Sequence, residues 1–270
     1  MSRLKLTTEK MTAEKKDGIG WLTFNNPSRR NAIGFAMRES ILLILADFEN
    51  DPDIRVIVMQ GAGETAFVSG SDISEFGERR STPEQRKVYD ALSAKVNGSF
   101  AAVKKPLIAM IRGFCLGAGV GTALHADLRI AAEGSEFGVP AAKLGLGYPF
   151  RNMKKMIDLV GPAKTKEIMF TGRRFSAQEA LDMGLVNQVV PGHELEVVVR
   201  ELATTIAANA PLTIQASKTI VTEAAKDPSD RDLILCDELV ENCMNSSDYK
   251  EGRTAFMEKR IPDFQGNGIP

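Results

Sequence analysis

The glycine-rich stretch at residues 113–121, Gly-Phe-Cys-Leu-Gly-Ala-Gly-Val-Gly, points most directly to chemistry. Glycines let the main chain turn sharply and approach a ligand, and the first turn of a helix carries N–H groups without internal partners. A dinucleotide-binding turn needs Gly-x-Gly-x-x-Gly, followed by a full-length helix. Here Thr122 stands where the third glycine belongs, and only a short helix fits before Asp127. We therefore favour an anion-stabilising turn over dinucleotide binding or packing alone.

A second turn of the same kind spans residues 66–73 and reads Ala-Phe-Val-Ser-Gly-Ser-Asp-Ile. It follows the β-branched run at residues 55–59, which predicts a buried strand. Two such turns at neighbouring strand ends can direct two main-chain N–H groups at one oxygen atom. That arrangement is an oxyanion hole, in which each donor typically stabilises the transition state by about 3–4 kcal/mol. The sequence therefore predicts chemistry in which negative charge develops on an oxygen.

Strands that alternate with helices must position these turns. Short apolar runs predict strands at residues 18–24, 55–59, 107–111 and 128–132, and helical spacing predicts helices at 33–49, 83–103, 211–226, 229–246 and 247–260. The alternation is typical of an α/β fold with a largely parallel sheet. From about residue 152 the pattern is almost wholly helical, broken only at 185–190. We expect an α/β core over residues 1–200 and a helical C-terminal lobe over 201–270.

The composition narrows the class of protein. The 270 residues are 43% apolar and 26% charged, a balance that allows a large core without crosslinks. Lys+Arg (34) nearly equal Asp+Glu (35), which predicts no nucleic-acid or membrane partner. The three cysteines and two histidines lack metal-ligand spacing, so we expect neither a bound metal nor a disulfide framework. The charged N-terminal segment has no apolar core, and we expect a cytoplasmic protein.

Several ordered motifs resemble the crotonase (enoyl-CoA hydratase/isomerase) superfamily. They are the turn Phe-Val-Ser-Gly-Ser-Asp-Ile at 67–73, the strand Lys-Pro-Leu-Ile-Ala-Met-Ile-Arg-Gly at 105–113 and the Gly-Ala-Gly at 117–119. Further matches are Phe-Gly-Val-Pro at 137–140, Phe-Thr-Gly-Arg-Arg-Phe-Ser-Ala-Gln-Glu-Ala at 170–180, Gly-Leu-Val-Asn-Gln-Val-Val at 184–190 and the tail at 251–260. The set runs in order from about residue 18 to residue 264.

The resemblance implies a crotonase-like superhelix of ββα units, assembled into trimers or hexamers, which acts on acyl-CoA thioesters. The thioester carbonyl oxygen of the substrate would lie between the N–H groups of Ser71 and Ala118. No cofactor is expected, because coenzyme A arrives as part of the substrate. The C-terminal lobe would cover the CoA and contribute to oligomerisation.

Similarity also places the nucleotide part of CoA near residues 25–32 and 67–70. Arg29 and Arg30 could pair with its phosphates, the alternative being a solvated charged turn. Phe256 and Lys259 match tail positions that reach the CoA of a neighbouring subunit, although Phe256 could instead pack within its own chain. The expected substrate and CoA contacts are Arg29, Ala32, Phe67, Ser69, Gly70, Asp72, Ile73, Gly117, Gly121, Ala141, Phe256 and Lys259.

One departure from the family pattern bears on the reaction. The two carboxylates that family hydratases place over the acyl α and β carbons correspond to Gly121 and Ala141, neither of which can transfer a proton. The stretch around Tyr148 and the tail at 247–252 resemble the methylmalonyl-CoA decarboxylase branch, in which a tyrosine helps to hold the substrate carboxylate. Decarboxylation needs no base to form the enolate. A histidine that this branch often carries corresponds to Ser71.

Other side chains are weaker candidates. Glu75 and Glu78 could replace a missing carboxylate, but an exposed helix face is favoured. A surface role is favoured over binding of an acidic acyl tail for three arginines: Arg79, Arg80 and Arg151. We expect His125 to be a structural histidine, His193 to lie at the surface and Cys115 to pack in the core.

We therefore expect a catalytic role for Ser71, Ala118 and Tyr148 in an acyl-CoA enzyme with a decarboxylase-like reaction. The alternatives are an enoyl-CoA hydratase or isomerase that uses a different acid or base, and a relative that binds acyl-CoA without turning it over.

Overall fold

The computed structural model describes residues 4–266. Its strands are β1 Met11–Lys16, β2 Ile19–Phe24, β3 Val56–Gly61, β4 Ala66–Val68, β5 Leu107–Ile111, β6 Phe114–Leu116, β7 Leu128–Ala132, β8 Glu136–Gly138, β9 Phe175–Ser176 and β10 Gln188–Val190. Its α-helices are α1 Phe35–Asn50, α2 Phe76–Arg79, α3 Pro83–Ala102, α4 Ala118–Ala123, α5 Phe150–Thr171, α6 Ala177–Asp182, α7 Leu195–Ala207, α8 Pro211–Ala224, α9 Leu233–Met244 and α10 Ser247–Glu258.

A six-stranded sheet in the order β1-β2-β3-β5-β7-β10 forms the centre of the fold. Only β1 pairs antiparallel, and every other neighbour pair is parallel. Alternate residues of β3 point to opposite faces: Ile57 and Met59 join one apolar cluster, and Val56 and Val58 join the other. Both faces are therefore covered, as parallel sheets require. The predicted α/β class and the strands β5 and β7 are confirmed.

Helix α7 covers one face of this sheet. Its residues Leu195, Val199 and Ala203 are fully buried in the same cluster as Trp21. The domain boundary expected at residue 200 falls inside α7 and is not a structural boundary, because that helix completes the core. The helical lobe begins with α8, whose Lys218 Nζ donates to the Lys105 carbonyl and to Asp127 Oδ2, at 2.8 Å each.

A second, four-stranded sheet in the order β4-β6-β8-β9 was not predicted. Its strands have two or three residues each, too few to show the alternation that identifies a strand. Residues 66–73 and 113–121, expected to be turns alone, therefore each begin with a short strand. These two strands, β4 and β6, pair in parallel through Ala66 and Phe114, which brings the turns that follow them side by side.

Local signals explain most helix boundaries. Ser176 with Glu179 forms a capping box at the start of α6, and Thr82 with Gln85 forms another at the start of α3. Helix α9 begins four residues later than expected because Asp232 caps it by accepting from Leu235 N–H. None of the helices in residues 4–266 is long and apolar enough to cross a bilayer.

Candidate active site

The two turns border a cavity of about 570 Å³ that is also walled by α1, α3, α4 and the start of α5. Most of the residues expected from the sequence lie on it. They are Arg29, Ala32, Ser69, Gly70, Ser71, Asp72, Ile73, Gly117, Ala118, Gly121, Ala141 and Tyr148. The structure thus brings together residues as far apart in the chain as Arg29 and Tyr148.

Gly70 and Gly117 place the two turns against each other. Both have positive φ, 137° and 53°, and a Cβ on Gly117 would lie 3.9 Å from the Gly70 Cα. On either side of Ser71, Gly70 O accepts from Ile33 N–H and Asp72 N–H donates to Ile33 O. Within residues 4–266, the N–H groups of Ser71 and Ala118 donate to no protein acceptor. Both residues border the cavity.

Helix α4 is fixed by a main-chain contact with β4. A Cβ on Gly119 would overlap the carbonyl oxygen of Val68, so only glycine permits this approach. The helix has six residues, which confirms that it is too short for the crossover helix of a dinucleotide site. Its first residue, Ala118, is therefore held by the same contact.

Tyr148 occupies the space above Gly121. Its hydroxyl oxygen lies 3.5 Å from the position that a Cβ on Gly121 would take, and the Asn152 Nδ2 lies 3.8 Å from that position. Burial raises the pKa of Tyr148 to about 12, although a side-chain hydrogen bond from Asn152 acts in the opposite direction. The phenol therefore keeps its proton at neutral pH and can donate it. Ala141, the other position without a carboxylate, also borders the cavity.

Two of the nearby carboxylates, those of Asp72 and Glu75, form hydrogen bonds within the chain. Asp72 Oδ1 accepts from the N–H and the hydroxyl of Ser74, at 3.1 and 2.6 Å. Glu75 Oε2 accepts from Phe35 N–H at 2.7 Å, so this side chain caps α1 and does not form the exposed helix face that was expected. Glu78 is exposed and does not border the cavity. Asp90, which sequence reasoning missed, does border it.

Arg38 is a cavity residue that sequence reasoning also missed. Its Nη2 donates to Ser71 Oγ at 3.1 Å and to the Tyr89 hydroxyl at 2.8 Å. The sequence signal that could have identified Arg38 is its position directly after Met37, which belongs to the buried face of α1. Arg80 joins it on the cavity, 4.7 Å from the centroid of the Tyr89 ring, and is not the surface residue that was favoured.

Arg79 and Arg151 lie outside the cavity, as favoured. Arg79 is exposed and packs over the Phe35 ring at 4.7 Å, and Arg151 is exposed at the start of α5.

His125 borders the cavity but is locked in a polar network. Its Nδ1 lies 2.6 Å from Lys155 Nζ and its Nε2 lies 2.9 Å from Asn97 Oδ1, while its ring stacks on Phe100 at 4.7 Å. Because an ammonium group can only donate, Nδ1 accepts and Nε2 carries the proton. Burial, with the charge of Lys155, lowers the pKa of His125 to about 3, and burial lowers that of Lys155 to about 8.

The structural role expected for His125 agrees with this network. His193 is at the surface, as expected. Cys115 is fully buried, and burial raises the pKa of its thiol.

Three expected contacts lie away from the cavity. The Phe67 side chain is fully buried and packs edge-on against Phe24, so only its main chain could face a ligand. Phe256 is 82% exposed, so its side chain is little packed by residues 4–266. It borders a separate cavity of about 890 Å³ among the C-terminal helices, and Lys259 follows at the exposed end of α10. Arg30 does not border the main cavity either; its guanidinium packs over Phe114 at 5.1 Å.

Comparison with known proteins gives a consistent result. A family model described as enoyl-CoA hydratase/isomerase matches residues 14–267. The short-chain-enoyl-CoA hydratase of Clostridium acetobutylicum is 35% identical over 92% of this chain and 94% of its own. The crotonyl-CoA hydratase of Syntrophomonas wolfei is 34% identical over 95% of this chain and 98% of its own.

Solved structures agree with the sequence comparison. The crystal structure of an enoyl-CoA hydratase/carnithine racemase from Magnetospirillum magneticum superposes with a TM-score of 0.92. It is 32% identical and covers 96% of this chain and 97% of its own.

Proposed function

The chain belongs to the enoyl-CoA hydratase/isomerase family, and from this premise we propose that it forms an enolate of an acyl-CoA thioester by decarboxylation. The observation that carries the proposal is the Tyr148 hydroxyl above Gly121, in the place where the family resemblance puts the first hydratase carboxylate. The cavity has a proton donor at that place, and the two positions that match the hydratase carboxylates, Gly121 and Ala141, carry none. This suits a reaction that needs no base.

The N–H groups of Ser71 and Ala118 would bind the thioester oxygen. Both lack protein acceptors within residues 4–266, and both border the cavity. When the enolate forms, negative charge collects on that oxygen, and two fixed donors stabilise it without having to reorient. The site needs main-chain N–H groups here, so the alanine at position 118 serves as well as any other residue except proline, which lacks this donor.

The proposed reaction breaks the bond between the α carbon and the carboxylate carbon of a malonyl-type thioester. Carbon dioxide leaves, and the electron pair that formed the bond moves into the enolate and onto the thioester oxygen. The α carbon then takes a proton from the Tyr148 hydroxyl, and the phenolate recovers one from water. A phenol whose pKa is about 12 remains protonated until the basic enolate appears.

Hydration is the second candidate, because the two relatives described above are named hydratases. It would need a group to activate water. Among the carboxylates on the cavity, that of Asp72 is hydrogen-bonded to Ser74, whereas the side-chain carboxylate of Asp90 accepts no hydrogen bond within residues 4–266. Asp90 is therefore the residue on which a hydratase mechanism would have to depend.

The test is a substrate panel assayed with the purified protein. We expect methylmalonyl-CoA or ethylmalonyl-CoA to release carbon dioxide and crotonyl-CoA to be hydrated poorly. Hydration of crotonyl-CoA at ordinary hydratase rates, abolished by Asp90→Asn, would replace decarboxylation with the second candidate. Binding of many CoA esters without turnover of any would identify a protein that has lost catalysis.

We further propose that the active form is a trimer or a hexamer in which Phe256 and Lys259 meet the CoA of a neighbouring subunit. The 82% exposure of Phe256 supports this, because residues 4–266 leave most of a large aromatic side chain uncovered. Light scattering of the intact protein measures the subunit number directly.

A further inference from the structure

Arg38 enters the cavity as an incompletely partnered cation. Its Nη2 donates to two neutral hydroxyl groups, those of Ser71 and Tyr89, at 3.1 and 2.8 Å. Its Nε is buried and has no hydrogen-bond partner among residues 4–266. A guanidinium carries five N–H donors, and burying one of them without a partner costs free energy. The contacts within the chain therefore leave part of this group's hydrogen-bonding capacity unused.

A second cation lies beside it. The guanidinium carbons of Arg38 and Arg80 are 5.0 and 4.7 Å from the centroid of the same ring, that of Tyr89. Within the described part of the chain, neither arginine forms an ion pair with a carboxylate. Two carboxylates, Asp72 and Asp90, also border the cavity, but within residues 4–266 neither lies within ion-pair distance of these guanidinium groups, and Asp72 Oδ1 is hydrogen-bonded to Ser74. Two positive charges thus share one wall of the cavity without a direct ion pair in that part of the chain.

From this arrangement we infer that Arg38, assisted by Arg80, binds a carboxylate that is part of the acyl group, so that the preferred substrates are carboxylated acyl-CoA thioesters. The inference rests on the proposed function only in taking the cavity as the acyl-CoA site. Guanidinium groups bind carboxylates through paired, charge-assisted hydrogen bonds, which an uncharged acyl chain cannot supply.

The position of Arg38 assigns the carboxylate to the acyl portion and not to the phosphates of CoA. Its Nη2 lies 3.1 Å from the side chain of Ser71, whose N–H is proposed to hold the thioester oxygen. An anion beside Arg38 is therefore only a few bonds from the thioester carbon. Arg29, by contrast, is exposed at the edge of the cavity, where the nucleotide part is expected.

The test compares thioesters that differ only by a carboxylate in place of a methyl group. Suitable pairs are methylmalonyl-CoA with isobutyryl-CoA, succinyl-CoA with butyryl-CoA, and glutaryl-CoA with pentanoyl-CoA. The first pair places the carboxylate on the α carbon, and the other two place it at the end of the chain. Dissociation constants, or KM where a thioester is turned over, are measured for the wild type and for Arg38→Met, Arg80→Met and Arg79→Met.

We expect the wild type to prefer the carboxylated member of at least one pair by tenfold or more. Arg38→Met should abolish that preference while leaving the neutral partner's affinity within about threefold, and Arg80→Met should reduce it. Arg79→Met is the matched control, because Arg79 also packs over an aromatic ring but lies outside the cavity. Circular dichroism establishes that each variant is folded, and Arg80→Met carries the test if Arg38→Met is not.

Three results would overturn the inference. Equal affinity for both members of every pair would show that the cavity does not select carboxylates, with acyl-CoA binding itself intact. If Arg38→Met lowers the affinity for both members of a pair equally, Arg38 only positions Ser71 and does not bind the carboxylate. Failure of every thioester to bind would refute the proposed function as well as the inference.

Discussion

The Tyr148 hydroxyl lies 3.5 Å from the point where a Cβ on Gly121 would be. The absence of a side chain at Gly121 therefore leaves the space that the Tyr148 hydroxyl approaches. The place that belongs to a carboxylate in family hydratases, according to the resemblance, is taken here by a phenol. This exchange replaces a group that can accept a proton with one that, at neutral pH, can only donate it.

Tyr148→Phe removes the donor and leaves the ring in place. We expect the rate of carbon dioxide release from methylmalonyl-CoA to fall about a hundredfold or more, the usual range for loss of a general acid. Tyr249→Phe is the control, since Tyr249 is 40% exposed on α10 and does not border the cavity. An unchanged rate in Tyr148→Phe would remove this residue from the mechanism.

The pH dependence of the reaction tests the same residue in another way. Burial raises the pKa of Tyr148 to about 12, so its donor form persists well above neutral pH. We expect kcat for decarboxylation to be constant between about pH 6 and pH 10 in steady-state assays. A decline with an apparent pKa near 8 would contradict this and would point to Lys155, whose pKa burial lowers to about 8.

Two glycines of α4 should respond differently to the same substitution. Gly119→Ala forces a Cβ onto the Val68 carbonyl, and we expect it to lower the free energy of unfolding by about 1–3 kcal/mol. Gly121→Ala meets only ordinary contacts and should leave that free energy unchanged or raise it by up to about 1 kcal/mol. Urea denaturation measures both. Equal effects would show that α4 does not dock on β4 as described.

His125 should make the fold sensitive to acid. Its pKa is about 3 in the folded state and about 6.5 unfolded, so its neutral form stabilises the fold above pH 6.5 and that stability is lost as the pH falls toward 3. At pH 4 the loss amounts to about 3 kcal/mol, from about 1.4 kcal/mol per pKa unit.

His125→Gln removes this titration and keeps a donor for Asn97. We expect the difference in unfolding free energy between pH 7 and pH 4 to shrink by a similar amount in this variant. His193→Gln is the control, because the His193 side chain is 82% exposed. Indistinguishable pH profiles for the two variants would show that His125 is not buried in its neutral form.

Cysteine reactivity offers a simpler check of the core. Cys115 is fully buried and its pKa is raised, so its thiolate is scarce and shielded. Cys236 and Cys243 are partly exposed. We expect iodoacetamide to label the latter two in the native protein and to label Cys115 only after unfolding, as measured by mass spectrometry. Early labelling of Cys115 would contradict the packing of the turn.

The sequence predicted the central sheet well because strands such as Leu107–Ile111 are continuous apolar runs. The second sheet escaped prediction because its pairing partners, such as Ala66 and Phe114, are distant in the chain and its strands are too short to show a period. Strand β1, which reads Met-Thr-Ala-Glu-Lys-Lys, was missed because it is polar and lies at the sheet edge.

Sequence analysis located the parts of the candidate site that main-chain turns form. It missed the parts that depend on contacts between side chains of distant elements. Glycine turns are visible as residue types, so the surroundings of Ser71 and Ala118 could be located. Arg38 could not be identified from the sequence, because its contact with Ser71 depends on how α1 lies against the turn at Ser71. The two residues are 33 positions apart in the chain. Glu75 likewise became a cap for α1 through a tertiary contact that periodicity does not encode.

The contact between Gly119 and Val68 has a consequence for the role proposed for the neighbouring N–H group of Ala118. Because main-chain atoms meet there, no change of side-chain rotamer can relieve the contact, and it holds the first turn of α4 against β4. In the proposed reaction, a dipole anchored in this way would point in the same direction before and after bond cleavage. The activation barrier would then include little reorganisation of the protein, because folding has already oriented this N–H group.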